Sequence, residues 1–418
     1  MTANDIRNIA LLGHGGSGKT SLVEQMLFMT KGIDRLGKTA DGNTTCDYDA
    51  EEIKRQISIS LAFAPVMYKG KKINVMDAPG NFDFSGEAVC AIRAANENGE
   101  FLVLPYQGQQ IWRMSFLGHD LTMKSMFEDP IPTQLFHANY GMFLLHCGLT
   151  AMGNPTSQDT HPQHGELPFA PFSDAYLTNG EDERGKFLCV GGRYRHTRAF
   201  RTDYLFEVFY KLYETATTIE VNVKFTNLRP DSLEYFYMCH INFRPVDGSR
   251  LSYSAYHKDI HPHYALSSRL SEEKKQAYNT FFEKLQKMPE IQDVVDKDSQ
   301  MYEPEICSTV HYQHDADGYA YCMQVLPDGC ACYVRFAPEK LPIGLRWIAR
   351  TGPEDAMGMV LPATAEHLGY TYCKQHHMES YLPANESQTY QIEIGLLPPD
   401  KAAETDEKIH NILSVSQS

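Results

Sequence analysis

The sequence feature that most constrains the fold is the octapeptide at residues 13–20, Gly-His-Gly-Gly-Ser-Gly-Lys-Thr. It follows an apolar run at residues 6–12 and precedes a helical pattern that begins at Thr20. A strand, a glycine-rich turn and a helix together form a phosphate-binding loop, because glycines let backbone N–H groups converge on the anion. Lys19 would then reach the phosphates, and the Thr20 hydroxyl would bind Mg²⁺. The chain therefore begins with a predicted α/β phosphate-binding segment.

Two further apolar runs, at residues 57–66 and 72–76, predict strands, and the second ends in Asp77-x-x-Gly80. Residues 13–20, 47–60 and 77–84 closely resemble the start of the GTPase domain of elongation factor G. Ser58 stands where that family usually has a Mg²⁺-binding Thr. The resemblance implies a nucleotide site that consists of Gly13, Gly18, Lys19, Thr20, Asp77 and Gly80.

The resemblance covers only about 96 residues. The Asn-Lys-x-Asp motif that gives the family its guanine specificity does not follow. A complete GTPase domain has six strands, and the sequence predicts only three of them here. Such a fragment cannot cover both faces of its sheet. We therefore expect a truncated GTPase fragment at residues 1–96, without GTPase activity, bound GTP or Mg²⁺, or a role at the ribosome.

The charge of the chain is unevenly distributed. Residues 1–96 carry 11 basic and 11 acidic side chains, so the net charge of −15 lies entirely in residues 97–418. This acidity argues against nucleic acid or an anionic membrane as a partner, because phosphate binding needs the opposite sign. The 10 cysteines form no Cys-x-x-Cys pair, and neither a signal peptide nor a membrane span is recognisable. We expect a cytoplasmic protein.

The junction between the two parts fits two structures. Residues 85–96 resemble the switch II helix of the elongation factor, and they equally suit the first strand of the next domain. We place the boundary near residue 96, with residues 97–418 as a second domain.

Residues 97–418 predict a mainly β structure. Short strands alternate with turn signals, and residues 218–225 show the period of two that is typical of a half-buried strand. One helix is expected at residues 272–288, capped by Ser271. Many strands without intervening helices indicate a large antiparallel β-sandwich.

Imidazole and carboxylate groups are concentrated in a few segments of this second part. Residues 160–168 hold two histidines and a glutamate, residues 237–243 hold a strand histidine, and glutamates flank Pro304 and follow residues 361–365. Each of these residues alone is weak evidence for a functional site, because a single strand histidine is more often a hydrogen-bonded core residue. The set of candidates is His161, His164, Glu166, His240, Glu303, Glu305 and Glu366.

Together these segments resemble the galactose-mutarotase-like superfamily, specifically its aldose-1-epimerase-related bacterial members. The segments on which the resemblance rests are residues 103–112, 161–168, 361–370 and 392–395. It spans essentially all of residues 97–400 and implies a sugar-binding supersandwich. The implied reaction is opening and closing of a sugar ring at C1, with one group taking the C1 hydroxyl proton and another protonating the ring oxygen.

By the same resemblance, His240 is the acid, Glu366 is the base and His164 contacts the ring oxygen or a neighbouring hydroxyl. Glu303 would orient the sugar. The arginine usual in the family is not clearly placed. The remaining predicted substrate-binding residues are Glu166, His161, Arg346 and Asn139. The predicted partner is a small-molecule sugar, and no cofactor or metal is expected in the sugar reaction.

Three alternatives stay open at this point. The first is a carbohydrate-binding protein that keeps the cleft without turnover, in which case Glu366 and His240 need not share one cleft. The second is a metal-dependent sugar isomerase that uses His161, His164, Glu166 and His240. The third is a GTP-binding regulator joined to a sugar enzyme.

Overall fold

The computed structural model describes residues 6–11, 17–56, 58, 62–77 and 89–415. The chain divides into two compact units, Met1–Val89 and Cys90–Ser418. Residues 92–95, in the junction segment, form a strand of the second unit. The strand alternative therefore applies to these four residues, whereas residues 85–88 lie outside the described residues.

The first unit contains a three-stranded sheet with helices. The order of its strands is β1-β3-β2, with β1 parallel and β2 antiparallel to β3. Apolar side chains of the first helix pack with those of the sheet, among them Val23, Leu27, Ala64 and Val75. The elements are β1 (Ile6–Leu11), α1 (Lys19–Met29), α2 (Ala50–Arg55), β2 (Ala62–Tyr68) and β3 (Lys71–Asp77).

The second unit contains two large antiparallel sheets, as the sequence predicts. Its strands are β4 (Ile92–Ala95), β5 (Gly99–Leu104), β6 (Gln110–Phe116), β7 (His119–Asp120), β8 (Leu144–Leu149), β9 (Asp174–Asp182), β10 (Gly185–Arg198), β11 (Thr202–Tyr213), β12 (Thr218–Asn227), β13 (Leu233–Ile241), β14 (Arg250–Tyr253), β15 (Ile260–His263), β16 (Ile306–Val310), β17 (Ala320–Val325), β18 (Ala331–Phe336), β19 (Ile343–Arg350), β20 (Asp355–Ala363), β21 (Ser380–Leu382) and β22 (Ser387–Leu397).

One sheet has eight strands in the order β14-β17-β18-β22-β12-β11-β10-β9. The other has eleven and runs β15-β16-β19-β20-β13-β8-β6-β5-β4, with β7 paired to β6 and β21 to β13. His146 of the eleven-stranded sheet is buried, and its Nε2 lies 3.0 Å from the hydroxyl of Tyr210 in the eight-stranded sheet. Polar as well as apolar contacts therefore join the two sheets.

Three helices accompany these sheets: α3 (Glu272–Lys287), α4 (Tyr370–Gln375) and α5 (Pro399–Val415). The α3 prediction is confirmed, since Ser271 accepts a hydrogen bond from the Lys274 amide and Phe282 and Leu285 are buried. Helix α5 was not predicted, because most of its residues are polar. Its buried Ala402, Ile409 and Ile412 pack in one cluster with side chains of β17 and β18.

Within the part of the chain that the structure describes, no helix is both long and apolar enough to cross a membrane.

Candidate functional site

The second unit contains a cleft of about 240 Å³ that gathers imidazole, carboxylate and aromatic groups. Strands of the eleven-stranded sheet supply part of its wall, and the long connection between β8 and β9 supplies another part. Its lining residues are Met123, Met126, Phe127, Phe136, His137, Tyr140, Asn154, Gln163, His164, Met238, His240, Pro304, Glu305, Cys307, Leu345, Trp347, Ala349, Thr351, Glu354, Leu361 and His367.

His240 and His164 face each other in this cleft, with ring centroids 5.5 Å apart. Both side chains are buried, and the Nδ1 atom of each has no hydrogen-bond partner among the described residues. Burial lowers the pKa of His240 to about 3 and the pKa of His164 well below its usual range. Both imidazoles are therefore uncharged at neutral pH, and both belong to the wall of the cleft.

Backbone hydrogen bonds fix the position of His164. Its amide donates to the carbonyl of Gly153 and its carbonyl accepts from the amide of Gly148, each at 2.9 Å. His164 has a φ of 60°, in the left-handed region that costs energy for a residue with a Cβ. Residues with such strained backbones often cluster at functional sites.

Glu305 brings a carboxylate into the same cleft. Its Oε2 accepts a hydrogen bond of 2.6 Å from Nε1 of Trp347 on β19. The Trp347 ring lies 5.4 Å from the ring of His240, between centroids. Trp347 thus orients the carboxylate on the side of the cleft where His240 lies.

His367 adds a third imidazole to the cleft wall. Its Nδ1 lies 3.5 Å from Sγ of Cys307, and burial lowers its pKa to about 3. Burial also raises the pKa of the Cys307 thiol well above its usual range. The thiol is therefore protonated, and the pair is neutral at neutral pH.

Glu366, the predicted base, lies outside the lining of this cleft although its neighbour His367 is part of it. The Glu366 Oε1 accepts a hydrogen bond of 2.9 Å from Thr309, and it lies 4.0 Å from Nε2 of His263. The predicted base and the predicted acid His240 are therefore held in different surroundings.

Three other predicted residues also lie outside the lining. Glu303 forms a salt bridge of 2.7 Å with Lys274 of α3. Arg346 is fully buried, where its guanidinium lies over the ring of Tyr253 at 4.1 Å. Asn139 is buried and accepts a hydrogen bond from the amide of Ile131.

His161 and Glu166 line a separate cleft. The Glu166 carboxylate accepts four hydrogen bonds, from the Leu149 amide, from the amide and hydroxyl of Thr150 and from the Tyr204 hydroxyl. Nε2 of His161 accepts a bond from the amide of Tyr370. The four ligands of the metal-isomerase alternative thus line two clefts, and Glu166 is already fully hydrogen-bonded.

The predicted nucleotide site is described in part. Gly18 has a φ of 86°, Lys19 and Thr20 begin α1, and the Thr20 hydroxyl lies 2.9 Å from that of Ser58. Asp77 is buried, and neither carboxylate oxygen has a hydrogen-bond partner among the described residues. This donor set fits Mg²⁺, which prefers carboxylate and hydroxyl oxygens. Gly13 and Gly80 lie outside the described residues.

Trp347 and His367 were not among the residues predicted for the site, and Glu305 was a candidate without an assigned role. Nothing in the sequence pairs Glu305 with Trp347, which is 42 positions away. His367 follows the selected Glu366 directly. Its position in the wall depends on tertiary packing, for which the sequence contains no signal.

Comparison with known proteins separates the same two parts of the chain. Residues 4–104 match the family described as elongation factor Tu GTP binding domain. An elongation factor G-like protein from Mycobacterium tuberculosis is 44% identical over 91 residues, 22% of this chain and 13% of that protein. Elongation factor G 2 from Desulfotalea psychrophila is 38% identical over 93 residues, again 13% of its length. The chain thus spans about an eighth of these curated relatives, and its resemblance to the start of an elongation factor is confirmed.

The chain is similar in fold to solved structures, among them the following two. The first, from Klebsiella pneumoniae, is described as a "putative aldose 1-epimerase"; it has a TM-score of 0.63 at 14% identity, over 85% of this chain and 89% of the other. The second is the Slr1438 protein from Synechocystis, with a TM-score of 0.51 at 12% identity, over 76% of this chain and 99% of the other. These likenesses confirm the predicted fold.

The sequence itself assigns this second part to a family. Residues 86–396 match the family described as domain of unknown function DUF4432, and this range is about three quarters of the chain. The chain therefore belongs to the DUF4432 family, and the part that this family matches follows a segment that resembles the elongation factor GTPase domain.

Proposed function

We propose that this protein is an aldose 1-epimerase-like isomerase that interconverts the anomers of a free aldose. The observation that carries the proposal is one buried cleft that holds the imidazoles of His240 and His164 with the Glu305 carboxylate. Anomer exchange requires removal of the C1 hydroxyl proton and protonation of the ring oxygen. Imidazole and carboxylate side chains are the usual donors and acceptors for such transfers.

In this proposal Glu305 replaces Glu366 as the base that takes the C1 hydroxyl proton. Glu305 lines the cleft, and Trp347 holds its carboxylate by a hydrogen bond, whereas Glu366 binds Thr309 outside the lining. As the C1–O bond breaks, the N–H of a neutral imidazole hydrogen-bonds the ring oxygen and stabilises the negative charge that develops there. A water molecule supplies the proton to that oxygen, and protonated Glu305 returns its proton to the hydroxide that is left. We assign this donor role to His240, with His164 as its partner.

The charges of the cleft favour an uncharged sugar as the substrate. Two carboxylates, Glu305 and Glu354, line the cleft, and among the described residues no Lys or Arg does. A phosphate or carboxylate on the ligand would be repelled at such short range. Trp347 and Tyr140 offer aromatic faces on which the C–H face of a sugar can stack. We therefore propose a neutral, unphosphorylated aldose.

The two glutamates provide a matched test of the assigned base. Anomer exchange of neutral aldoses is measured by NMR exchange spectroscopy with the wild-type chain, Glu305→Gln and Glu366→Gln. Because general acid–base catalysis contributes about 10²–10⁴-fold, Glu305→Gln is expected to lose at least about 100-fold in rate. The Glu366→Gln variant is expected to stay close to the wild-type rate, and the opposite ranking of the two variants would return the role of base to Glu366.

A carbohydrate-binding protein without turnover is the second candidate. The position of Glu366 favours it, because the predicted acid and base do not share one cleft. This candidate predicts that a neutral aldose perturbs the NMR signals of the cleft while its anomer exchange proceeds at the uncatalysed rate. In that case Glu305→Gln would change affinity alone.

A further inference from the structure

Two β-hairpin tips from different sheets meet at one end of the second unit. His119 follows the turn between β6 and β7, where Leu117 and Gly118 have φ of 51° and 79°. Asp328 and Cys330 belong to the turn between β17 and β18, where Gly329 has a φ of 92°. The first hairpin is part of the eleven-stranded sheet and the second is part of the eight-stranded sheet.

The side chains of these three residues converge. Nε2 of His119 lies 3.0 Å from Oδ2 of Asp328, and one donor atom from each of the three residues lies within 4.8 Å of the other two. The other oxygen of Asp328 accepts a hydrogen bond of 3.0 Å from the amide of Cys330, which holds the turn and leaves Oδ2 facing His119. A nitrogen, an oxygen and a sulfur donor thus point to one place.

We propose that His119, Asp328 and Cys330 bind a divalent transition-metal ion, with Zn²⁺ the best match. Zn²⁺ takes imidazole, carboxylate and thiolate ligands at about 2.0–2.3 Å, so donor atoms around it lie roughly 3.5 Å apart. The three donors lie within 4.8 Å of one another, so small side-chain movements would bring them to that separation. Carboxylate and thiolate together supply the two negative charges that balance the ion, and a solvent molecule completes a tetrahedral site.

The Cys330 thiol is buried, in the turn that also holds Asp328. A bound divalent cation would stabilise its thiolate form. The ion would also join the two sheets, so its binding would stabilise the folded chain by mass action. The site shares no residue with the sugar cleft and does not depend on the proposed function.

Cobalt gives a direct optical test of thiolate ligation. The full-length chain, stripped of metal with a chelator and dialysed, is titrated with Co²⁺ and then with Zn²⁺. We expect one equivalent of Co²⁺ to produce a thiolate-to-cobalt charge-transfer band that Zn²⁺ displaces. Cys330→Ser should remove the band, and His119→Ala should weaken Co²⁺ binding by at least about tenfold, the scale of effect seen for a lost support of a metal site.

The control is Cys90→Ser, because Cys90 is an exposed thiol that would bind adventitious metal. This variant should keep the band. Thermal unfolding gives a second measurement: Zn²⁺ should raise the melting temperature of the wild-type chain and of Cys90→Ser but not of Cys330→Ser. No band in the wild-type chain, a band that survives in Cys330→Ser, or a band lost in Cys90→Ser would overturn the proposal.

Discussion

Burial keeps several histidine side chains of the second unit uncharged at neutral pH. Burial lowers the pKa to about 3 for His146, His240 and His367, and well below the usual range for His164. His146 has hydrogen bonds at both ring nitrogens, to the hydroxyls of Tyr237 and Tyr210. In the cleft, Nδ1 of His164 and Nδ1 of His240 have no hydrogen-bond partner among the described residues. Burial thus keeps His146 neutral within the core and His240 neutral in the proposed active site.

These histidines predict that the free energy of unfolding falls on mild acidification. In the unfolded chain each imidazole takes up a proton near pH 6.5, whereas in the folded chain it stays neutral to a far lower pH. Below about pH 6.5 the unfolded state binds more protons than the folded state. The contribution of these neutral histidines to the free energy of unfolding is therefore fully present above that pH and is lost as the pH falls. At about pH 5 the loss is on the order of 2 kcal/mol per histidine.

Urea unfolding of the wild-type chain and of His146→Gln, at about pH 7.5, 6 and 5, measures this loss. Glutamine keeps an amide that can bond to the two tyrosines but does not titrate. The wild-type midpoint should fall steadily with pH, and the fall should be smaller in the variant. A wild-type midpoint that stays constant down to pH 5 would contradict the buried neutral state.

At the scale of strands and helices, much of the fold could be predicted from local pattern. The period of two at residues 218–225 corresponds to β12, and the Ser271 cap with its apolar face corresponds to α3. The junction segment could not be resolved, because a run rich in Ala, Val and Ile suits a helix and a strand equally. Helix α5 was missed because its polar surface conceals a narrow buried face.

The site was predicted only in part, for a different reason. Glu303 and Glu305 flank the same proline, and nothing local distinguishes them. Their partners decide which one enters the cleft: Lys274 of α3 binds Glu303, while Trp347 of β19 binds Glu305. Both partners are distant in the sequence, so the choice is made by tertiary packing.

The elements of the first unit give a prediction about nucleotides. The start of α1 and the end of β3 hold Lys19, Thr20 and Asp77, which suit a phosphate with Mg²⁺. The sequence that follows lacks the motif for guanine. We therefore expect any nucleotide binding in the presence of Mg²⁺ to be equal for GTP and ATP and to be lost in Lys19→Ala.

Fluorescent analogues of GTP and ATP, titrated into the full-length chain, check this expectation. Equal binding of the two, or binding of neither, agrees with a fragment that lacks the GTPase function. Tight binding selective for GTP and abolished by Lys19→Ala would contradict it and would support a nucleotide-regulated protein.

On the scale of the whole molecule, the chain joins a part that resembles the start of an elongation factor to a much larger DUF4432 sandwich. The chemistry proposed here belongs to the larger part, since its cleft contains both the imidazoles and the carboxylate. The net charge of −15 also lies in that part, and the cleft carries acidic groups of its own. Both features favour a neutral sugar over a phosphorylated one.

The measurement that tests this account most directly compares neutral aldoses with their 6-phosphates in the NMR anomer-exchange assay, with the full-length wild-type chain. The account predicts faster exchange for at least one neutral aldose and none for any 6-phosphate. Faster exchange of a 6-phosphate would contradict the proposed charge selectivity. A neutral aldose that binds in the cleft without faster exchange would contradict the isomerase and leave a carbohydrate-binding protein.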